Sequence, residues 1–169
     1  MPPRSYLEAL MREPATIEQM ETFEKQTFRN RCTIAVHNAP GAMHPYELVR
    51  LTVPVKKVEH KQFTRDIEIS YQTRWQHQHW ITLVSAYQHT PYFMYFADYL
   101  KPFYEREYKW LLDLNDELND TLIRLLCKQR PSAVIRPQSA RTTDWSGQIW
   151  TDKHPWQTEL SVLDTLFEE

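Results

Sequence analysis

The densest run of chemistry-bearing side chains is Lys25-Gln26-Thr27-Phe28-Arg29-Asn30-Arg31. If residues 28–34 are extended, Arg29 and Arg31 project from one face and Phe28, Asn30 and Cys32 from the other. Two neighbouring guanidiniums can clamp a phosphate or a carboxylate through paired N–H donors. Lys25 and Lys56 can add point charges to such a site. The same residues also fit a solvated strand face with cross-strand ion pairs to Glu47 or Glu68, and exposed pairs of that kind contribute little. Spacing alone leaves both readings open.

Two carboxylates, Glu18 and Glu21, lie just upstream. They can neutralise Arg29 and Arg31, or one of them can act as a general base once desolvated. A third candidate base is His79 in Trp75-Gln76-His77-Gln78-His79-Trp80. That segment reads as the start of a helix, where positions i and i+2 point apart, so His77 and His79 are not expected to share a metal. His79 falls on the inner flank, as a hydrogen-bonded imidazole or as a base. Asn115 interrupts the leucine stripe of a long helix. A buried amide needs partners, so it either ties down a neighbouring backbone or contacts a substrate.

The elements that must position these residues follow from hydrophobic period. Tyr6, Leu7, Leu10 and Met11 behind the Ser5/Glu8 capping pattern predict a short first helix, stopped by Pro14. Alternation predicts strands at Cys32–Val36, Val49–Val55 and Ile67–Tyr71, with Pro54 marking an edge or an end. From residue 72 the period becomes helical. Trp80, Val84 and Tyr87 form one stripe, and a second helix carries Phe93, Phe96 and Ala97 up to Pro102. A long helix is predicted from about Glu105 to Lys128 through Tyr108, Leu111, Leu112, Leu118, Leu122, Leu125 and Leu126. Strands followed by helices predict an α+β fold, a small mixed or antiparallel sheet from the N-terminal half packed against helices from the C-terminal half.

Composition narrows the chemistry further. The 169 residues include only two glycines, Gly41 and Gly147, where average usage would give roughly twelve. No Gly-rich phosphate loop, dinucleotide fingerprint or nucleophile elbow can be written with them, because each needs glycines close together. Any phosphate must be held by side chains, and the two glycines are the expected tight turns. The net charge is −2, which with the lack of a recognised motif argues against nucleic acid as a partner. No run approaches the ~20 apolar residues of a membrane span. The start MPPRSYLEAL is not a signal peptide. Two distant cysteines, Cys32 and Cys127, fit a reducing cytoplasm. The residues name neither a cofactor nor an oligomeric state.

Several blocks in order resemble the WbqC-like family. They are Pro2-Pro3-x-x-Tyr6, Lys25 through Cys32-x-Ile34, Leu51-Thr52-Val53-Pro54-Val55-x-Lys57 and Asp66-Ile67-x-Ile69. Trp75 through His79-Trp80, Ser85-Ala86-Tyr87 before Thr90-Pro91-Tyr92-Phe93, Leu111-Leu112-Asp113-Leu114-Asn115 and a tail from Leu160 to Phe167 continue the likeness. The match covers nearly the whole chain and implies a single domain over 1–169. Family members begin with a short strand ahead of the Pro-Pro element, so the resemblance implies that this strand is absent here. It also implies surface-polysaccharide or O-antigen synthesis, and transfer of an acyl or aminoacyl group, such as glycine, to an amino or nucleotide-activated sugar. The alternative is a non-catalytic ligand-binding or scaffold protein of such a pathway. On the transferase reading, the partners are a nucleotide sugar and an acyl donor. Glu18, Glu21 or His79 would serve as base and Asn30 or Gln26 as oxyanion donor. Lys25, Arg29, Arg31 and Lys56 would hold the anion, and Trp75 or Trp80, with Asn115, would line the site.

Overall fold

The computed structural model describes residues 2, 6–7, 20–37, 43–44, 46–90 and 92–126. Strand β1 (Arg31–His37) pairs antiparallel with β2 (Tyr46–Thr52), with Cys32 opposite Leu51 and Ile34 opposite Val49. Alternation puts Cys32, Ile34 and Leu51 in the core, as period-two patterning requires. Helix α1 (Trp75–Tyr87) packs on β1. Helices α2 (Phe93–Leu100), α3 (Pro102–Glu105) and α4 (Leu111–Leu126) complete the described residues. The fold is α+β, with the sheet in the N-terminal half and the helices in the C-terminal half.

Three elements depart from their sequence patterns. The third strand is not a regular one. Residues 64–66 form a turn of 3-10 helix, and the extended stretch after it makes only isolated bridges, Ile69 with Val55 and Glu68 with Trp110. Its alternation is nonetheless expressed, since Ile67 and Ile69 are buried. The chain here runs between two other segments. Ile69 N–H donates to the Lys109 carbonyl and Leu111 N–H to the Ile67 carbonyl on one side. On the other side Lys56 N–H donates to the Glu68 carbonyl and Ser70 N–H to the Pro54 carbonyl. Pro54 accepts and has no N–H to give, which suits a segment that pairs through single bonds.

The long helix starts at Leu111 and not near Glu105, because residues 109–111 are engaged in that extended pairing. Tyr108 is buried as expected but lies outside the helix. Its inner face is Leu111, Leu114, Leu118, Leu122, Ile123 and Leu125. On α1 the buried stripe is Trp75, His79, Leu83 and Tyr87, spaced by four. Trp80 and Val84, read from sequence as its centre, lie half-buried on its flank. Pro102 occupies the first turn of α3, where its missing N–H is not needed.

The scarcity of glycine leaves a mark on the turns. Gln26 and Lys61 both adopt the left-handed region, with φ of 66° and 61°, at positions where glycine would avoid the Cβ clash. Tyr6 and Leu7 are helical, with Leu7 fully buried in the common core. The other residues of the predicted first helix, Gly41, Gly147, Cys127, Glu18 and the tail from Leu160 fall outside the described residues.

Candidate functional site

The segment before β1 is a tight turn, not an extension of the strand. Thr27, itself buried, donates its hydroxyl to the Glu24 carbonyl at 3.0 Å, and its own carbonyl accepts from Asn30 N–H at 3.2 Å. The turn therefore aims Arg29 by local hydrogen bonding, where the sequence had suggested strand alternation. Asn30 is clamped to Val53 twice: its carbonyl accepts from Val53 N–H at 2.8 Å, and its side-chain amide donates to the Val53 carbonyl at 3.2 Å.

Arg29 is held from two directions. One of its terminal nitrogens, Nη2, pairs with the Glu21 carboxylate. Its backbone carbonyl accepts a 2.7 Å hydrogen bond from the Asn115 side-chain amide on α4. Tyr6 lies in the same electrostatic neighbourhood. Burial pushes its hydroxyl up to about 12, Asp116 adds to the rise, and the Arg29 cation opposes it.

Beyond Arg29 opens a cavity of about 30 Å³, room for about two waters or a group of a few heavy atoms. Its polar wall comprises Arg29, Asn30, Arg31, Trp75, His79 and Asn115. Leu51, Val53, Phe103 and Leu114 supply apolar surface. Among residues of this wall, Arg29 Nη1, Asn30 Oδ1 and Trp75 Nε1 are buried atoms with no hydrogen-bond partner among the described residues. Leaving such atoms unpaired costs about 1–3 kcal/mol each, so the residues of this wall carry an unmet demand for polar partners.

His79 closes the cavity from α1. Burial depresses its pKa to about 4, against a hydrogen bond to the Thr52 backbone that pulls the other way. The ring is therefore neutral at pH 7. With one nitrogen donating to a carbonyl, the other carries a lone pair. The imidazole sits edge-on to Trp75 with centroids 5.1 Å apart and to Tyr104 at 6.3 Å. Tyr104 also lines the cavity, and burial raises its hydroxyl far above the ordinary range.

The structure brings together Arg29, Asn30, Arg31, His79 and Asn115 from the sequence candidates. It puts others elsewhere. Lys25 and Gln26 are exposed on the turn and do not line the cavity. Lys56 is exposed and donates to Glu68 at 2.5 Å, a bond that holds the Glu68 carboxyl below its usual range. Trp80 packs at a tilt against Phe93 and Tyr104, centroids 6.3 and 5.8 Å away, and does not line the cavity. Glu21 is the ion-pair partner of Arg29. His77 is exposed while His79 is buried, so the two diverge as a helix dictates. Sequence reasoning passed over Tyr6, while Trp75, one of its two candidate wall aromatics, does line the cavity, as does Tyr104. Tyr6 had a signal, since it closes the Pro2-Pro3-x-x-Tyr6 block.

These residues come from blocks far apart in the chain, and a family model spanning residues 2–145 matches all of them together. The chain belongs to the WbqC-like protein family. No curated protein and no solved structure matches it. Within this WbqC-like chain the blocks at 25–34, 51–57, 75–80 and 111–115 each supply a wall of one cavity. Tyr6 of the first block borders it electrostatically through Arg29. No helix among the described residues is long and apolar enough to cross a membrane.

Proposed function

We propose that this WbqC-like protein is a cytoplasmic transferase that moves an acyl or aminoacyl group, glycine being one candidate, onto the amine of an amino or nucleotide-activated sugar in surface-polysaccharide synthesis. The observation that carries the reading is a neutral, buried His79 on the same small cavity as the Arg29 side chain. A sugar amine attacking an activated ester or thioester forms the new C–N bond and expels the alcohol or thiol. The His79 lone pair receives the proton that the amine loses. Its low basicity makes it a weak base, and its burial keeps it unprotonated at neutral pH. The charge that develops on the carbonyl oxygen needs donors. Arg29 Nη1 and Trp75 Nε1 are available for this. The Asn30 amide is engaged by Val53 and Gln26 is outside the cavity, so neither fills the oxyanion role suggested by sequence. Anion binding falls to Arg29 and Arg31, without Lys25 or Lys56.

A thermal-shift screen against nucleotide sugars and activated acyl donors tests this, because binding to the native state raises the Tm. A nucleotide sugar should raise it, and Arg29→Ala should abolish the shift. An unchanged shift in that variant counts decisively against the reading.

Two observations favour the alternative, a binding or scaffold protein. Arg29 and Lys56 both have carboxylate partners. Helix α2 exposes Met94, Tyr95 and Tyr99 at 81%, 47% and 45%, the kind of apolar surface that partners cover. On that alternative the same ligands bind but no acyl-sugar product forms when donor and acceptor are supplied together.

A further inference from the structure

Strand β2 has a neighbour on one side only among the described residues. Val53 N–H donates to the Asn30 carbonyl at 2.8 Å, and the register runs on from there without a break, from Arg31 opposite Thr52 to His37 opposite Tyr46. In an antiparallel ladder, bonded pairs alternate with unbonded ones. Leu51, Val49 and Glu47 therefore share their backbone bonds with β1, and Tyr46, Leu48, Arg50 and Thr52 turn theirs to the opposite edge. Thr52 is used there, since its backbone takes the hydrogen bond of His79. Among the described residues no backbone partner reaches Tyr46, Leu48 or Arg50 from that side. Their side chains share one face of the strand, and Tyr46 and Leu48 stand half exposed, at 48% and 49%. An open edge of this kind is a template for another strand. Lysine and proline, which usually blunt such edges, are absent from Tyr46–Thr52.

We propose that this edge pairs antiparallel with the same edge of a second copy of the chain, about a two-fold axis through Leu48. Reversing the strand about Leu48 sets Tyr46 opposite Arg50 of the second copy, and Arg50 opposite its Tyr46. Each guanidinium then covers a tyrosine ring, a favourable cation–π pair, and the two Leu48 side chains meet between them. These are the positions whose N–H and carbonyl groups are open, so the backbone is satisfied as the side chains pair. The neighbouring registers match less well. An axis through Glu47 or Arg50 brings like charges face to face. An axis through Val49 sets Leu48 against Arg50 and draws on the Thr52 carbonyl, which His79 already bonds. The strand is complementary to its own reverse, which singles out a copy of this chain as the occupant. The pairing joins two hairpins into one continuous sheet, at the other end of the strand that orients His79.

Size-exclusion chromatography with light scattering on the full chain tests it. The unaltered chain should reach twice the chain mass as its concentration rises. Leu48→Lys puts two ammonium groups on the axis and should hold the chain at the single mass with an unchanged Tm, because the side chain is exposed in the single copy. Disulfide trapping then reads the register. Residues opposed in a bonded pair have Cα atoms about 5.5 Å apart, within the span of a disulfide. Mild oxidation of Leu48→Cys, in a Cys127→Ser background, should therefore link the two copies. Tyr46→Cys in the same background lies too far from its equivalent and should stay unlinked. A mass that stays single at every concentration, a dimer that Leu48→Lys leaves intact, or linking at position 46 as strong as at 48 overturns the proposal. A single mass with slow amide exchange at Leu48 and Arg50 also overturns it, and gives the edge to another segment of the same chain. The trapping is read on a conservative change, so it decides the matter even if Leu48→Lys does not fold.

Discussion

The Asn115 side-chain amide on α4 donates a 2.7 Å hydrogen bond to the backbone carbonyl of Arg29, 86 positions earlier in the chain. This bond fixes the turn that carries the cationic wall to the helix that carries the leucine core. It also explains a polar residue inside an apolar stripe: the amide satisfies a carbonyl that the turn leaves without a ladder partner. Arg29, a residue of the cavity wall, is thereby held at its backbone by Asn115 and at its guanidinium by Glu21.

Asn115→Leu should lower stability by about 1–3 kcal/mol, because it strands the Arg29 carbonyl as well as removing one bond. Urea denaturation measures the loss. A midpoint equal to that of the unaltered chain would mean that the turn does not depend on the helix.

Glu21→Gln removes the charge that faces Arg29. The pair is partly shielded, with side-chain exposures of 18% for Arg29 and 31% for Glu21, so the expected loss is roughly 1–2 kcal/mol, between exposed and buried pairs. A double-mutant cycle with Arg29→Met should return most of that energy as coupling. Additive losses would show that the two side chains act independently.

His79 sets an acid limit on the fold. Its folded pKa, about 4, lies below the ordinary 6.5, so the unfolded chain binds more protons between those values. Stability should therefore be complete above about pH 6.5 and fall as the pH drops toward 4, by about 3 kcal/mol from this group. His79→Gln should flatten that part of the stability profile. If the slope between pH 6.5 and 4 is the same in both proteins, another group is responsible.

Lys61→Gly relieves a left-handed backbone at φ 61°. The exposed side chain makes little packing contribution, so the variant should gain up to about 1 kcal/mol, the clash removed less the added freedom of the unfolded chain. A raised Tm by calorimetry would show it. A lowered Tm would mean that the chain's freedom outweighs the clash.

Much of this was written in the sequence. Alternation set which faces of β1 and β2 are buried, the helical period marked α1 although its buried stripe centres on Trp75, His79 and Leu83 and not on Trp80 and Val84, and the near-absence of glycine excluded backbone phosphate loops. Those are local properties, set by the periods of strand and helix. The ordered blocks of the WbqC-like family were equally visible, since identity and order along the chain are all that a family match requires.

Other features were settled only by tertiary structure. Arg29 and Arg31 read as strand neighbours, but Thr27 bonding made a turn of the first, and the late start of α4 followed from the pairing of 109–111 with 67–69. No sequence period could reveal that Trp75 and Asn30 line one cavity and that each keeps one buried polar atom unmatched among the described residues. That depends on which partners remain once segments far apart in the chain have packed. Lys56 illustrates the converse: its charge suggested the site, and proximity to Glu68 took it elsewhere. Residue type decides what a side chain is able to do, while the packing of distant segments decides which of those capacities is left for a ligand.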